Sequence, residues 1–124
     1  MNAIIYVPNQ KPFVISLNSD MKSHANELIG KELTFQPVSI QNLDCFQLII
    51  NDQAILNRLP KNRRIPQLNN EYQMIRGEFI LIQVDENQNP ISMEQEHIDY
   101  MLKNDFEWAT ADDRDLLVSV HSYI

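Results

Sequence analysis

The chain has 124 residues, of which 44% are hydrophobic and 22% are charged, and its formal net charge is -7. A chain of this length fits one domain, and its single cysteine excludes an internal disulfide and a multi-cysteine metal site. We expect a soluble cytoplasmic protein, because no segment approaches the roughly 20 apolar residues that span a bilayer and the N-terminus shows no signal-peptide pattern.

The first part of the chain predicts strands and one short helix. Residues 3–17 predict two strands joined by a turn that lies between two prolines. A helix follows over 21–29, with N-cap side chains before it and Gly30 as its C-cap. Residues 32–40 predict an edge strand or a strand that ends in a bulge, because Pro37 interrupts its alternation.

The middle of the chain predicts a hairpin, a loop and a further strand. Residues 45–50 and 54–56 flank turn-forming side chains, and a hairpin between them fits best. We interpret residues 58–73 as a long polar connection, which is longer than most loops and therefore functional or mobile. The apolar run 78–84 predicts another strand. Within the first hairpin strand, Cys45 is interpreted as a small buried hydrophobe.

The last third predicts a helix and an acidic tail. Residues 92–95 match the capping-box pattern, so a helix should run from about 93 to 103. Its inward-facing residues would be Ile98, Met101 and Leu102. Residues 110–122 fit a third helix or a final strand, and acidic residues near their start favour the helix because they complement its dipole.

Together these elements predict a single α+β domain over residues 1–124. We expect an antiparallel or mixed sheet of about five or six strands with two or three helices packed on it. Charge is uneven along the domain: residues 85–124 carry two basic and ten acidic side chains, whereas residues 1–84 carry eight and seven. Such asymmetry suggests a solvated acidic face or a surface that attracts basic partners.

A basic stretch is the local signal that goes beyond ordinary folding. Half of the ten basic side chains of the chain lie within residues 58–76. Fixed arginine, lysine and amide donors suit a small anionic ligand. The candidate ligand-binding residues are Arg58, Lys61, Asn62, Arg63, Arg64 and Arg76. The alternative is that Asn62 and Arg63 tether the predicted loop through hydrogen bonds to backbone carbonyls.

The patterns of catalytic and cofactor sites are missing from the sequence. Two distant glycines exclude a glycine-rich phosphate loop, and no serine has an activating context. Glu94 and His97 could supply half of a metal site, but a solvated helix face explains both residues. We therefore predict no enzyme, no cofactor and no metal. Direct nucleic-acid binding is disfavoured by the net charge of -7 and by the lack of stacking aromatics beside the basic residues.

Six short patterns occur in a definite order. They are Lys11-Pro12, Leu28-Ile29-Gly30, Asn51-Asp52, Leu59-Pro60-Lys61-Asn62-Arg63, Gly77-Glu78-Phe79 and Ser92-Met93-Glu94-Gln95. In order and spacing they resemble a small family labelled only as a domain of unknown function, found mostly in bacteriophages, plasmids and integrated conjugative elements. The resemblance covers roughly residues 3–102. Ala54 and Arg58 depart from it, since the family usually has glycine there, and residues 105–124 form an acidic extension outside it.

The resemblance implies a mobile-element accessory protein without an assigned activity, which leaves two hypotheses. The first is a non-catalytic factor that binds a host protein, for example a defence or DNA-processing enzyme, through an acidic surface that mimics nucleic acid. The residues of that surface would be Asp105, Glu107, Trp108, Asp112, Asp113 and Asp115. The second is a protein that binds a small anionic ligand, such as a nucleotide, in a pocket closed by residues 58–77. The oligomeric state stays open.

Overall fold

The structure is a computed structural model that describes residues 1–67 and 71–115. In chain order the elements are β1 (Asn2–Tyr6), β2 (Phe13–Ser16), α1 (Met21–Ile29), β3 (Leu33–Ile40), β4 (Leu43–Asn51), β5 (Lys61–Pro66), β6 (Tyr72–Arg76), β7 (Phe79–Val84), β8 (Pro90–Ile91), α2 (Gln95–Lys103) and β9 (Glu107–Trp108). The predicted α+β class is confirmed. The predicted number of strands, about five or six, was too low, because the described residues form nine strands in two sheets.

The larger sheet is antiparallel and has the order β2-β1-β7-β4-β3, with β8 paired to the end of β7. All six residues of β7 are buried, as expected of a central strand covered on both faces. Strand β3 lies at the edge and carries Pro37, and its register shifts between Val38 and Ile40. Both the edge position and the bulge agree with the prediction from the sequence.

Two hydrophobic cores lie on opposite faces of the larger sheet. Helix α1 covers one face, where Ala3 and Ile5 of β1 point. On the other face, Ile4 and Tyr6 pack with residues of β5, β6 and α2. This alternation along β1 follows from the two-residue period of a strand. The smaller sheet, of order β6-β5-β9, therefore shares a core with the larger sheet, and strand β5 has an inner and an outer face.

The two predicted helices are present, with different capping. Helix α1 begins as predicted, because the Asp20 side chain accepts a hydrogen bond from the Ser23 amide at 3.3 Å. The capping box at α2 was wrong: the helix begins at Gln95, and the Ser92 hydroxyl instead accepts a hydrogen bond from the Asn2 amide at 2.8 Å. Leu102 is 41% exposed and does not face inward, whereas Ile98 and Met101 are buried.

The predicted hairpin had the wrong partner. Strand β4 pairs with β3, which precedes it, through a turn at Gln41 and Asn42 with φ of 53° and 63°. Two successive left-handed residues form the tight turn that suits a hairpin, and this signal outweighs the Asn-Asp pair at the other end of β4. Residues 54–56 are not a strand but part of consecutive turns that lead to Leu59.

The prediction of a long polar connection was also wrong, because β5 and the start of β6 occupy half of residues 58–73 and the two strands form an antiparallel hairpin. Strand β5 is held on its other edge by β9, a two-residue strand that the sequence did not predict. Residues 110–115 form a turn and irregular backbone, so no helix begins at Thr110, and residues 116–122 of the predicted element lie outside the described residues. Neither helix of the described chain is long and apolar enough to cross a membrane.

Candidate functional site

The six candidate ligand-binding residues divide into three groups. Arg58 is exposed, precedes β5 and has a φ of 50°. Asn62 and Arg63 are buried, with 2% and 0% of their surface exposed. The other three, Lys61, Arg64 and Arg76, are partly exposed at the ends and outer face of β5 and β6. Strand alternation places Arg63 and Arg64 on opposite faces of β5, and the register shift between Lys61 and Arg63 accounts for the burial of Asn62 beside Arg63.

Arg63 lies within the shared core and uses all of its donors inside the protein. Its guanidinium forms two hydrogen bonds of 3.1 Å with the Asp105 carboxylate. It also donates to the Asn62 side-chain oxygen at 2.6 Å and to the backbone carbonyls of Val7 and Gln10 at 3.4 and 2.6 Å. These five hydrogen bonds match the five N–H donors of arginine, so none is left over for a ligand.

Two aromatic rings complete the surroundings of Arg63. Its guanidinium carbon lies 4.7 Å from the Trp108 ring centroid and 5.6 Å from that of Tyr6. The Trp108 indole also donates to Asp105 at 2.9 Å. Such stacking between a cation and aromatic rings adds to the ion pair in a site from which water is largely excluded. Arg63 thus joins the loop after β1, strand β5 and the segment after α2.

Asn62 has a matching structural role. Its amide nitrogen donates to the backbone carbonyls of Tyr6 and Gly77 at 2.9 and 2.8 Å, while its oxygen accepts from Arg63. These are bonds to backbone carbonyls, as the tether alternative predicts, although the tethered element is a strand and not a loop. We therefore place Asn62 and Arg63 in the framework of the site.

The Tyr6 hydroxyl is the unusual polar group in this framework. It is buried and has no hydrogen-bond partner among the described residues. Its ring stacks on Phe79 at a centroid distance of 4.7 Å and contacts Phe106 at 5.2 Å. Burial raises the pKa of Tyr6 far above its ordinary value; the Asp105 charge raises it further, and Arg63 lowers it. Tyr6 is therefore a neutral core residue whose hydroxyl makes no hydrogen bond within residues 1–67 and 71–115.

The outer face of the small sheet is basic, and carboxylates lie on it. Arg76 binds Asp115 through two hydrogen bonds of 2.7 and 3.2 Å. Arg64 donates to Glu107 at 2.8 Å and lies 3.3 Å from Asp113. We call the side chains of Lys61, Arg64 and Arg76 the basic face.

Lys61 and Tyr72 complete this surface. The Lys61 ammonium donates to the backbone carbonyls of Ala111 and Asp113 at 3.0 and 2.6 Å. The Arg64 guanidinium carbon lies 4.4 Å from the ring centroid of Tyr72, which is 47% exposed. Sequence reasoning missed Tyr72; its place beside Pro66 in a hairpin would have identified it, had β5 been recognised as a strand.

Five of the six residues predicted as an acidic interaction surface contact the predicted basic residues. Asp105 pairs with Arg63, and Trp108 stacks on the same side chain. The carboxylates of Glu107, Asp113 and Asp115 lie on the basic face, whereas Asp112 is exposed. The residues predicted as an acidic interaction surface and those predicted as a ligand-binding site therefore contact each other. The positions of the charges along the sequence did not reveal this contact.

One further group of side chains could offer metal ligands. Ligand atoms of Glu94, Glu96 and His97 lie within 4.8 Å of one another. However, His97 is fixed by the protein, since Nδ1 lies 3.1 Å from the Gln83 amide oxygen and its ring packs edge-on against Phe46. The two exposed glutamates are ordinary at the start of a helix, where negative charge is favourable. We assign no metal role to this group.

Cys45 is half-buried rather than buried. Burial raises the pKa of its thiol, a backbone hydrogen bond lowers it, and the nearby Glu94 and Asp44 charges raise it again. A raised pKa reduces the thiolate fraction at neutral pH, and the thiolate is the nucleophile. The arrangement therefore gives Cys45 no activation for covalent chemistry.

The cavity beside the basic face is small. It has a volume of about 150 Å³ and is lined by residues that include Gln36, Asn51, Gln73 and Arg76. Pockets for drug-sized ligands generally measure 300–1,000 Å³. A larger open cleft of about 680 Å³ lies elsewhere, beside the start of α1, and none of the charged residues of the basic face lines it. The candidate site is thus a surface rather than a deep pocket.

The comparisons with known proteins agree with the resemblance at family level. No curated protein and no solved structure matches the chain significantly. The sequence profile described as domain of unknown function (DUF3846) matches residues 1–107, which include every strand and both helices of the described structure except the last residue of β9. Because the match covers most of the chain, this protein belongs to the DUF3846 family.

Proposed function

We propose that this chain is a non-catalytic binding protein and that its basic face binds an anionic ligand. One observation carries the proposal: the cations of this face already bind three carboxylates, one of them through two hydrogen bonds to Arg76. Arginine recognises carboxylates and phosphates by the same paired geometry. A surface that binds the anions of its own chain has the chemistry to bind those of another molecule.

The geometry also separates binding residues from framework residues. Arg63 and Asn62 have no free donors, and their burial fixes β5 against the core. Arg64 and Arg76 are 28% and 20% exposed at their side chains, so a ligand can reach them from solvent. The Nε atom of Arg64 is itself buried and lies 3.3 Å from the Asp113 carboxylate, so a ligand can use it only where Asp113 is displaced.

The test is stabilisation by inorganic triphosphate, a compact polyanion that needs no particular base or side chain. Millimolar triphosphate should raise the melting temperature of the full chain, because a ligand that binds the native state stabilises it by RT ln(1 + [L]/Kd). The variant Arg64→Ala/Arg76→Ala should lose this effect. Arg58→Ala should retain it, since Arg58 lies outside the basic face. Absence of stabilisation, or equal stabilisation of all three proteins, would show that this face does not bind anions.

The accessory-factor hypothesis is a second proposal, in which the acidic segment binds a basic surface of a host protein. In its favour, Asp112 and Glu107 are exposed. A basic partner would, however, have to replace the arginines that now pair with Glu107, Asp113 and Asp115, and for this reason we rank it second. A pull-down from host lysate tests it: the partner should be lost when Asp112, Asp113 and Asp115 are neutralised. Phage or conjugation genes beside this gene would support the mobile-element context.

A further inference from the structure

The segment that lies on the basic face has the features of a replaceable ligand. We define the cover segment as residues 107–115. The chain before it is anchored in the core, because Phe106 packs against Tyr6 and Phe79 and Asp105 pairs with buried Arg63. Within the cover segment no residue is buried. Its displacement would therefore expose little apolar core, although it would remove the Trp108 ring from the Arg63 guanidinium. The boundary between anchor and cover lies after Phe106.

Most contacts of the cover segment are polar and reach solvent. They include the ion pairs to Arg64 and Arg76, the Lys61 bonds to two carbonyls, and the pairing of β9 with β5. Trp108 adds one contact to the framework, since its ring centroid lies 4.7 Å from the guanidinium carbon of buried Arg63. Ion pairs of partly exposed side chains contribute little net stability, because water solvates the separated partners nearly as well.

We propose that the cover segment is an intramolecular inhibitor of the basic face and that the ligand which replaces it is an acidic segment of another protein. This inference rests on the anion-binding function proposed above and names its partner and its regulation. The family profile ends at residue 107, so the basic face belongs to the matched domain and nearly all of the cover segment lies beyond it.

Recognition of a peptide backbone favours a protein partner over a nucleotide. The Ala109 amide donates to the Asn62 carbonyl at 3.0 Å, and Arg63 and Arg64 of β5 pair with β9 as in an added strand. Lys61 binds backbone carbonyls rather than side chains. A nucleotide would leave these backbone groups unused and would find a cavity of only about 150 Å³ beside Arg76. Strand addition with side-chain specificity is a common mode of peptide recognition.

The experiment measures binding of a fluorophore-labelled peptide with the sequence of residues 107–115 by fluorescence anisotropy. The full-length wild-type protein should bind it weakly, since the tethered cover segment competes at an effective concentration of roughly millimolar. The variant Asp113→Ala/Asp115→Ala weakens that competitor and should bind the peptide about 10-fold more tightly or better. Adding Arg64→Ala/Arg76→Ala to the same chain should abolish binding. A peptide with Asn at the positions of Asp113 and Asp115 should bind poorly.

A matched control removes the effect of net charge. The variant Asp112→Ala/Glu86→Ala makes the same change in charge, but neither carboxylate is in an ion pair within the described chain. It should bind the peptide like the wild-type protein. If it gains affinity as much as Asp113→Ala/Asp115→Ala does, or if that variant gains none, the cover segment is not an inhibitor.

Triphosphate binding distinguishes failure of this inference from failure of the proposed function. If triphosphate stabilises the wild-type chain and Asp113→Ala/Asp115→Ala equally, the basic face binds anions but the segment does not inhibit it. If triphosphate stabilises neither protein, the anion-binding function itself is wrong. A concentration-dependent dimer that disappears in Asp113→Ala/Asp115→Ala would identify the occupant as the segment of a second copy and would overturn the assignment to another protein.

Discussion

Replacement of Arg63 by alanine should be far more damaging than the same change at its neighbour Arg64. Arg63 is 0% exposed, and its removal takes the cation from the Asp105 carboxylate and the Arg63 donor from the Asn62 amide oxygen and two backbone carbonyls. Breaking a buried ion pair by removing one partner costs about 3–5 kcal/mol. Because Asp105 is 24% exposed and can regain some water, we expect the lower half of this range, about 3–4 kcal/mol.

Arg64→Ala is the matched control, since it removes the same side chain from the next residue of β5. Its side chain is 28% exposed and its ion pairs are at the surface, so the expected loss is about 1 kcal/mol or less. For a domain of this size, 1 kcal/mol corresponds to roughly 3–5 °C in melting temperature. Arg63→Ala should therefore melt about 10–20 °C below the wild-type protein, and Arg64→Ala within about 5 °C of it.

Urea unfolding followed by far-ultraviolet circular dichroism provides the measurement. Circular dichroism is preferable to fluorescence, because the single tryptophan stacks on Arg63 and would report the local change. The dependence of the unfolding free energy on urea should stay constant, so that the midpoint shift reports stability. Losses at Arg63 and Arg64 that agree within about 1 kcal/mol would refute the view that Arg63 belongs to the framework.

Two further substitutions test the framework of the site, and one labelling experiment tests Cys45. Tyr6→Phe should leave stability unchanged or raise it by up to about 1 kcal/mol, because it removes a buried hydroxyl that has no partner in the part of the chain that the structure describes. Since the pKa of Tyr6 is raised in the native state, stability should fall as pH rises above about 10, where the unfolded chain loses the proton, and Tyr6→Phe should reduce that fall. Gly77→Ala should cost about 1–2 kcal/mol in urea unfolding, because φ is 73° and the new methyl group would lie 2.7 Å from Leu59. Iodoacetamide should alkylate Cys45 more slowly at pH 8 in the native than in the unfolded protein, and an equal rate would contradict its raised pKa.

Local patterns were sufficient for the elements whose stability comes from nearby residues. Helix α1 was predicted from its N-cap and its terminal glycine, and β7 from a continuous apolar run. Strand β9 could not be found in this way, because two residues become a strand only by pairing with β5, more than forty positions earlier. Strand β5 was missed because of its charged residues. The spacing of Arg63 and Ile65 fits a strand, but the polar composition of residues 58–73 was interpreted as a loop.

The candidate site was predicted as two separate charged regions, and the sequence did not reveal that their side chains contact each other. Composition reports how many charges a segment has, not which opposite charges fold against it. A buried arginine also contradicts the usual surface location of charged residues, and only a partner such as Asp105 makes it tolerable. The observation that Ile65 faces inward would have placed Arg63, two positions earlier, on the same buried face.

If a bound acidic peptide replaces the carboxylates of the cover segment, the salt dependence of peptide binding should differ between the wild-type protein and Asp113→Ala/Asp115→Ala. Added salt weakens the ion pairs of the bound peptide, but in the wild-type chain it equally weakens those of the cover segment that competes with it. The two effects oppose each other, so affinity for the acidic peptide should change little with salt. In Asp113→Ala/Asp115→Ala two carboxylates of the competitor are missing, so affinity should fall steeply as salt rises. Parallel anisotropy titrations at low and high sodium chloride measure the two slopes. Equal slopes would show that the peptide binds without replacing the cover segment.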